Sequence, residues 1–239
     1  MRRLKTIRKN RRISRSHDLT ALARIHQTDK WESHWYIPHY EKHFWNLRRK
    51  KLCILEIGVG GYEDSNAGGA SLRMWKDYFP KSLIYSLDIY DKKKLQESRI
   101  KIFRGSQNDP DFLRRLVKKM GRLDIVIDDG SHMNEHVITA FRTLFPLLTD
   151  GGIYVIEDTQ TSYWPKFGGD SYDLGNPSTT MNFLKSLTDG LNYQEMARKD
   201  YPQSYFDQNI VSLHFYHNLV FIYKGRNDEG SNFVHEHFY

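Results

Sequence analysis

Five short apolar runs alternate with amphipathic stretches between residues 52 and 157, and this alternation leaves little choice of fold. The runs at 52–58, 83–88, 100–103, 123–128 and 152–157 are rich in Ile, Leu, Val and Tyr. Each is too short for a helix. The segments between them at 71–79, 111–120 and 135–148 repeat apolar residues at helical spacing. Strands that are apolar throughout are buried on both faces, and the helices between them supply the crossovers of a parallel sheet. Two further strands at 210–216 and 219–224 are separated only by His217-Asn218, which predicts a hairpin. The expected fold class is α/β: a doubly wound, mostly parallel seven-stranded sheet with a C-terminal antiparallel hairpin.

The flanks divide the chain into a tail (1–16), a helical lid segment (17–50) and a catalytic domain (51–239). The tail carries Arg2, Arg3, Lys5, Arg8, Lys9, Arg11, Arg12 and Arg15 with no acidic residue, and accounts for the net charge of +7. An arm for nucleic acid or an anionic membrane is one reading. A flexible, solvated terminus is favoured, because few aromatic residues interleave the charges and no nucleic-acid motif follows. Helices are predicted at 17–27 and 36–48, separated by the polar break Thr28-Asp29-Lys30-Trp31. His39 and His43 fall one helical turn apart, but no third zinc ligand accompanies them, so packing or surface roles are expected. Residues 159–178 read as a Gly/Pro/aromatic loop and 182–190 as a further helix, while His235 and His237 receive no assignment. No apolar stretch approaches the roughly 18 residues that span a bilayer. The single cysteine, Cys53, lies inside an apolar run and fits a reducing, cytoplasmic setting.

Chemistry concentrates where two of the runs end. One finishes in Asp128-Asp129-Gly130-Ser131-His132 and the next in Glu157-Asp158. Neighbouring parallel strands would bring Asp129, His132, Glu157 and Asp158 together at the carboxyl edge of the sheet. Carboxylate oxygens suit a hard divalent cation such as magnesium, for which Asp129, Glu157 and Asp158 are the expected ligands. Asp129 and His132 are the expected catalytic pair, with His132 taking a proton from a metal-bound hydroxyl. Each residue also has a plain structural role open to it: Asp128 or Asp129 capping a helix near Ser131, His132 pairing with a carbonyl, Glu157-Asp158 forming an exposed strand end. Their joint arrival at adjacent strand ends favours the functional reading.

A nucleotide-like site precedes this edge. Glu56-Ile57-Gly58-Val59-Gly60-Gly61 follows the first run, but position 63 is Glu63, so the full dinucleotide fingerprint is not met. Asp88 ends the second run, where an acidic residue commonly holds a ribose diol. Gly105-Ser106-Gln107 follows the third, and Ser106 and Gln107 could read an adenine rim, while Asp109-Pro110 starts a helix. Glu56, Gly58, Gly60, Asp88, Ser106, Gln107 and Asp128 form the expected cofactor set.

These stretches together resemble class I S-adenosylmethionine-dependent methyltransferases. They are most similar to the magnesium-dependent O-methyltransferases of macrolide sugars, the mycinamicin and macrocin type. The matching segments are Thr28-Asp29-Lys30, His34 through Phe44, Leu55 through Gly61, Asp88 through Lys92, Phe103 through Gln107, the Asp-Asp-Gly-Ser-His stretch and 151–164. The resemblance implies a Rossmann-like methyltransferase fold, S-adenosylmethionine and Mg2+ as cofactors, and magnesium ligands at Asp129, Glu157 and Asp158. It further implies a general base at His132 and a ribose ligand at Asp88. The implied acceptor is a sugar hydroxyl of a glycosylated natural product or polysaccharide, with Tyr163 and Trp164 walling its pocket. Relatives of this kind tend to form homo-oligomers and often carry an additional N-terminal domain, for which this chain is too short.

Two alternatives stay open. A nucleic-acid methyltransferase is disfavoured, because Asp128-Asp129-Gly130-Ser131 stands where an Asn/Asp-Pro-Pro-aromatic stretch would be expected. A metal-dependent hydroxylase of the cephalosporin-hydroxylase type would use an iron site of two histidines and one carboxylate, whereas one histidine is evident here.

Overall fold

The computed structural model describes residues 18–197 and 200–231. The basic tail and the histidines at 235 and 237 lie outside the described residues. One seven-stranded sheet has the spatial order β3-β2-β1-β4-β5-β7-β6. Its strands are β1 (Cys53–Ile57), β2 (Leu83–Asp88), β3 (Ile100–Arg104), β4 (Ile125–Asp128), β5 (Ile153–Glu157), β6 (Ile210–Tyr216) and β7 (Leu219–Lys224). The first five are parallel; β7 runs antiparallel to β5, and β6 antiparallel to β7. The expected fold class is the observed one.

Strand alternation feeds two cores. Ile54, Ile125, Ile127, Ile153 and Val155 point to one face, where α1 (Leu19–His26), α2 (Ile37–Phe44) and α3 (Ala70–Tyr78) cover them. Leu55, Ile57, Val126, Tyr154 and Ile156 point to the other. There they meet α4 (Pro110–Met120), α5 (Asn134–Leu144) and α6 (Thr180–Gly190). Leu19, Leu22, Tyr40 and Phe44 are buried in the first core, where α1 packs on α2 and α3 and α3 packs on β2 and β3. Burial of such side chains contributes roughly 1.5–3 kcal/mol each.

Local signals set the helix ends. The Asp109 carboxylate accepts from the N–H groups of Asp111 and Phe112, Pro110 opens α4, and Gly121 closes it at φ 77°. The helix expected over 135–148 ends at Leu144 and tightens into a 3₁₀ turn, Phe145–Leu147, because Pro146 has no N–H to donate. The helix expected over 36–48 likewise ends in a 3₁₀ turn, Trp45–Leu47. A short helix, α7 (Tyr205–Asn209), was not expected; a capping box between Ser204 and Asp207 starts it.

His43 is a packing residue. Its ring stacks on Phe221 at 4.0 Å between centroids, and its two nitrogens meet the hydroxyls of Tyr223 and Tyr216 at 2.7 and 2.9 Å. Burial, followed by the nearby His214, Lys42 and His39, lowers its pKa to about 4. The folded state therefore prefers neutral imidazole, and the unfolded chain binds the extra proton below about 6.5. The His43 contribution is full above pH 6.5 and is lost as pH falls toward 4. Melting curves over that interval are expected to fall more steeply for the native chain than for His43→Gln.

Candidate active site

Strand order reverses between β1 and β4, since β2 and β3 lie to one side and β5 to the other. At such a switch point the loops leaving the carboxyl ends of the two strands part and leave a crevice for ligand. The loop after β1 carries Gly58 and Gly60, and the loop after β4 carries Asp129 and His132.

Gly58 adopts φ 96°, and a Cβ there would stand 2.2 Å from the Asp129 carbonyl oxygen. Only glycine lets the two loops approach this closely. The Asp88 carboxylate accepts from Val59 N–H at 3.0 Å and Tyr90 N–H at 2.9 Å, which locks the glycine loop to the end of β2. Ionised, it retains lone pairs for a diol. Ser106 accepts from Asn108 N–H at 3.1 Å. Gln107 is buried, donating to Asp128 at 3.2 Å and accepting from Ser131 N–H at 2.8 Å, so it ties the β3 and β4 loops together. Asp128 is 1% exposed. Burial raises its pKa to about 7 against the hydrogen bonds from Tyr154 and Gln107. Neither Asp128 nor Asp129 caps α5, whose N-cap is Met133.

Donor atoms of Asp129, His132 and Asp158 all lie within 4.8 Å of one another. The His132 Nε2 is 3.6 Å from Asp158 Oδ2 and 4.0 Å from Asp129 Oδ1. His132 and Asp158 both occupy the left-handed backbone region, at φ 56° and 54°. Such values are uncommon outside glycine and here aim both side chains inward across the crevice. Tyr36 donates to Asp158 Oδ1 at 2.6 Å. Burial pushes the Asp158 carboxyl up, but the Tyr36 hydrogen bond and the neighbouring His132 outweigh it and hold the group below its ordinary value.

Glu157 falls outside that triad. Its carboxylate is buried, accepting from the Tyr40 hydroxyl and from Lys30 Nζ at 2.7 Å. The Lys30 ammonium is itself fully buried and also meets Asp129 Oδ2 at 2.6 Å and Glu56 Oε1 at 3.3 Å. Burial works to lower the Lys30 pKa, yet Asp129, Glu157 and Glu56 together raise it well above the ordinary lysine value. One ammonium cannot offset three carboxylates in a dry pocket. Burial accordingly raises Glu56 to about 7 and lifts Glu157 well above the carboxylate range.

Three further side chains at this edge have no role in the sequence-based reading. Lys30, His34 and Tyr36 come from the segment between α1 and α2, which crosses over the ends of β4 and β5. His34 Nδ1 lies 3.8 Å from Asp158 Oδ1, opposite His132. Their only sequence signal is position, since all three fall in stretches that carry the family resemblance. A cleft of about 130 Å3, lined by Ser33, His34, Trp35, Tyr36, His39, His217 and Asn218, opens alongside. Tyr163 and Trp164 are 38% and 48% exposed at the 3₁₀ turns Thr159–Tyr163 and Pro165–Phe167. Asn134 anchors that loop, donating to the carbonyls of Thr161 and Phe167 at 3.2 and 2.9 Å.

The donor set fits a small divalent cation. Ligand distances of about 2.0–2.2 Å place neighbouring donors roughly 3–4 Å apart, close to the spacings here. The switch-point crevice, the left-handed glycines and Asp88 fit an adenosyl cofactor.

A family model described as Rhamnosyl O-methyltransferase/CmcI matches residues 63–204. The chain belongs to this family. The mycinamicin VI 2''-O-methyltransferase of Micromonospora griseorubida is 49% identical over 219 residues, covering 91% of this chain and 55% of the relative. A rhamnosyl tetracenomycin-C 2'-O-methyltransferase of Streptomyces olivaceus is 50% identical over 210 residues, covering 87% and 55%. The crystal structure of the MycE methyltransferase with Mg, SAH and mycinamycin VI superimposes with a TM-score of 0.85 at 50% identity, over 89% of this chain and 55% of that one. This rhamnosyl O-methyltransferase/CmcI family member thus spans about half the length of the relatives it matches. Among its described residues no helix is long and apolar enough to cross a membrane.

Proposed function

We propose that the chain is an S-adenosylmethionine-dependent, magnesium-dependent O-methyltransferase acting on a sugar hydroxyl of a glycosylated small molecule. The observation that carries the reading is the convergence of Asp129, His132 and Asp158 at the switch point beside the Gly58–Gly60 loop. Relatives about 50% identical are named as methyltransferases of such sugars.

Methyl transfer from a sulfonium needs an oxygen nucleophile, and a sugar hydroxyl is a poor one until its proton is removed. When bound, magnesium would supply a Lewis acid that favours the alkoxide. Asp129 and Asp158 would hold it, with Glu157 behind them on the same acidic edge. His132, whose Nε2 faces the crevice 3.6 Å from Asp158, accepts the hydroxyl proton. Tyr36 fixes Asp158 through its 2.6 Å hydrogen bond. Asp88 would hold the ribose of the cofactor, and Gly58 and Gly60 would let the backbone approach it closely. Tyr163 and Trp164 shield the acceptor side of the crevice.

Calorimetry with S-adenosylmethionine tests the cofactor, and saturable binding is expected. Methyl transfer to rhamnosylated or related acceptors should fall at least 100-fold after EDTA treatment and return with Mg2+. Undiminished transfer after exhaustive chelation would defeat the metal-dependent reading.

A further inference from the structure

We propose that the Lys30 ammonium is a fixed second cation of this site, a positioning residue occupying the place between Glu56, Asp129 and Glu157 that a second divalent ion would otherwise take. The inference rests on the one-ion reading given above and extends it to the neighbouring carboxylates.

Lys30 is 0% exposed, and its Nζ lies 2.6 Å from Asp129, 2.7 Å from Glu157 and 3.3 Å from Glu56. The ammonium donates to Asp129 and Glu157, and Glu56, whose buried carboxylate oxygens have no hydrogen-bond partner, faces it as an ion pair. A buried charge is tolerated only when it is paired and hydrogen-bonded, and this ammonium faces three carboxylates. The two oxygens of Asp129 face different ways. Its Oδ2 meets Lys30, while its Oδ1 faces His132 in the triad that fits an ion. Asp129 therefore bridges two cation places, one of them filled by a side chain. The Tyr40 hydroxyl, donating to Glu157, closes the cage from α2.

The backbone holds Lys30 there. His34 N–H donates to the Asp29 carbonyl at 2.9 Å and Tyr36 N–H to the Lys30 carbonyl at 3.2 Å, so the turn delivering Lys30 also delivers His34 and Tyr36 to Asp158. With Lys30 in place, Asp129 is oriented before any ion arrives. Pre-orientation by a partner behind the ligand tightens and sharpens a metal site.

Manganese titration of the full chain, read by the electron paramagnetic resonance of free Mn2+, tests this. The native chain is expected to bind one Mn2+ and Lys30→Met two. The double variant Lys30→Met/Glu56→Gln is expected to return to one, because its cage has lost a carboxylate that is no ligand of the first ion. In Lys30→Met the melting temperature should also become dependent on Mn2+, falling sharply in EDTA. A single Mn2+ of native affinity in Lys30→Met, with stability indifferent to EDTA, overturns the proposal. A variant that folds under neither condition leaves the decision to the native chain. There the ¹⁵N signal of the Lys30 ammonium should persist, slowly exchanging, after Mg2+ is added; its release by Mg2+ would show a mere placeholder and overturn the proposal. Absence of Mn2+ binding by the native chain would instead defeat the one-ion reading itself.

Discussion

The His132→Asn variant is expected to lose methyl transfer by about 10²–10⁴-fold, the usual contribution of a positioned general base. Asparagine is the informative replacement because residue 132 sits at φ 56°, a region Asn enters readily and most residues do not. Its amide can occupy the same space and hydrogen-bond, but it cannot take up a proton at neutral pH. The fold and the binding of S-adenosylmethionine should be retained, since His132 is only half-buried and its ring pairs with Asp129 and Asp158 rather than with the glycine loop. The loss should appear in kcat, with the acceptor KM and the Mn2+ affinity close to native. A Mn2+ affinity that falls together with kcat would move His132 from base to ion ligand, and activity near native would remove it from the chemistry.

The second large effect is at Gly58. An added methyl group would stand 2.2 Å from the Asp129 carbonyl oxygen and 3.0 Å from its carbonyl carbon, both backbone atoms that cannot rotate away. The φ of 96° adds its own strain. Overpacking costs about 1–3 kcal/mol and an unfavourable positive φ about 1–2 kcal/mol. Together they predict that Gly58→Ala melts about 5–15 °C lower, with a parallel loss of Mn2+ affinity because Asp129 must shift. Gly121→Ala is the matched control. It too has a positive φ, 77°, but nothing lies within 4 Å of its added Cβ, so only the backbone cost remains. Equal melting temperatures for the two variants would show that the loops part without penalty.

The central strands β1, β4 and β5 were legible because they are buried nearly throughout and therefore appear as apolar runs, and the edge strand β6 because the two-residue His217-Asn218 turn fixes its hairpin with β7; β2, β6 and β7 match their expected limits to the residue. Helix ends were legible where capping chemistry stands in the sequence, as at Asp109-Pro110 and Gly121, and less so where a proline merely tightens the last turn, as at Pro146. Asp129, His132 and Asp158 could be read as neighbours because parallel strands share their carboxyl edge. Lys30 could not. A lysine in a polar break between two helices has the pattern of a surface residue, and only the tertiary path of that segment over β4 and β5 buries it. Glu157 was legible as a carboxylate of this edge but not in its partners: alternation along β5 sends it inward to Lys30 and Tyr40, while the left-handed turn at Asp158 sends that residue to His132.

Asn134 begins α5 two residues after His132, and its side chain accepts from Thr180 N–H at 2.6 Å while donating to Thr161 and Phe167. One amide thus fastens the wall bearing Trp164 to the helix that follows His132. The two form a single jaw of fixed gape. Change in the width of the crevice would then have to be written at the free rim, around the fully exposed Tyr172, while the hinge side stays constant.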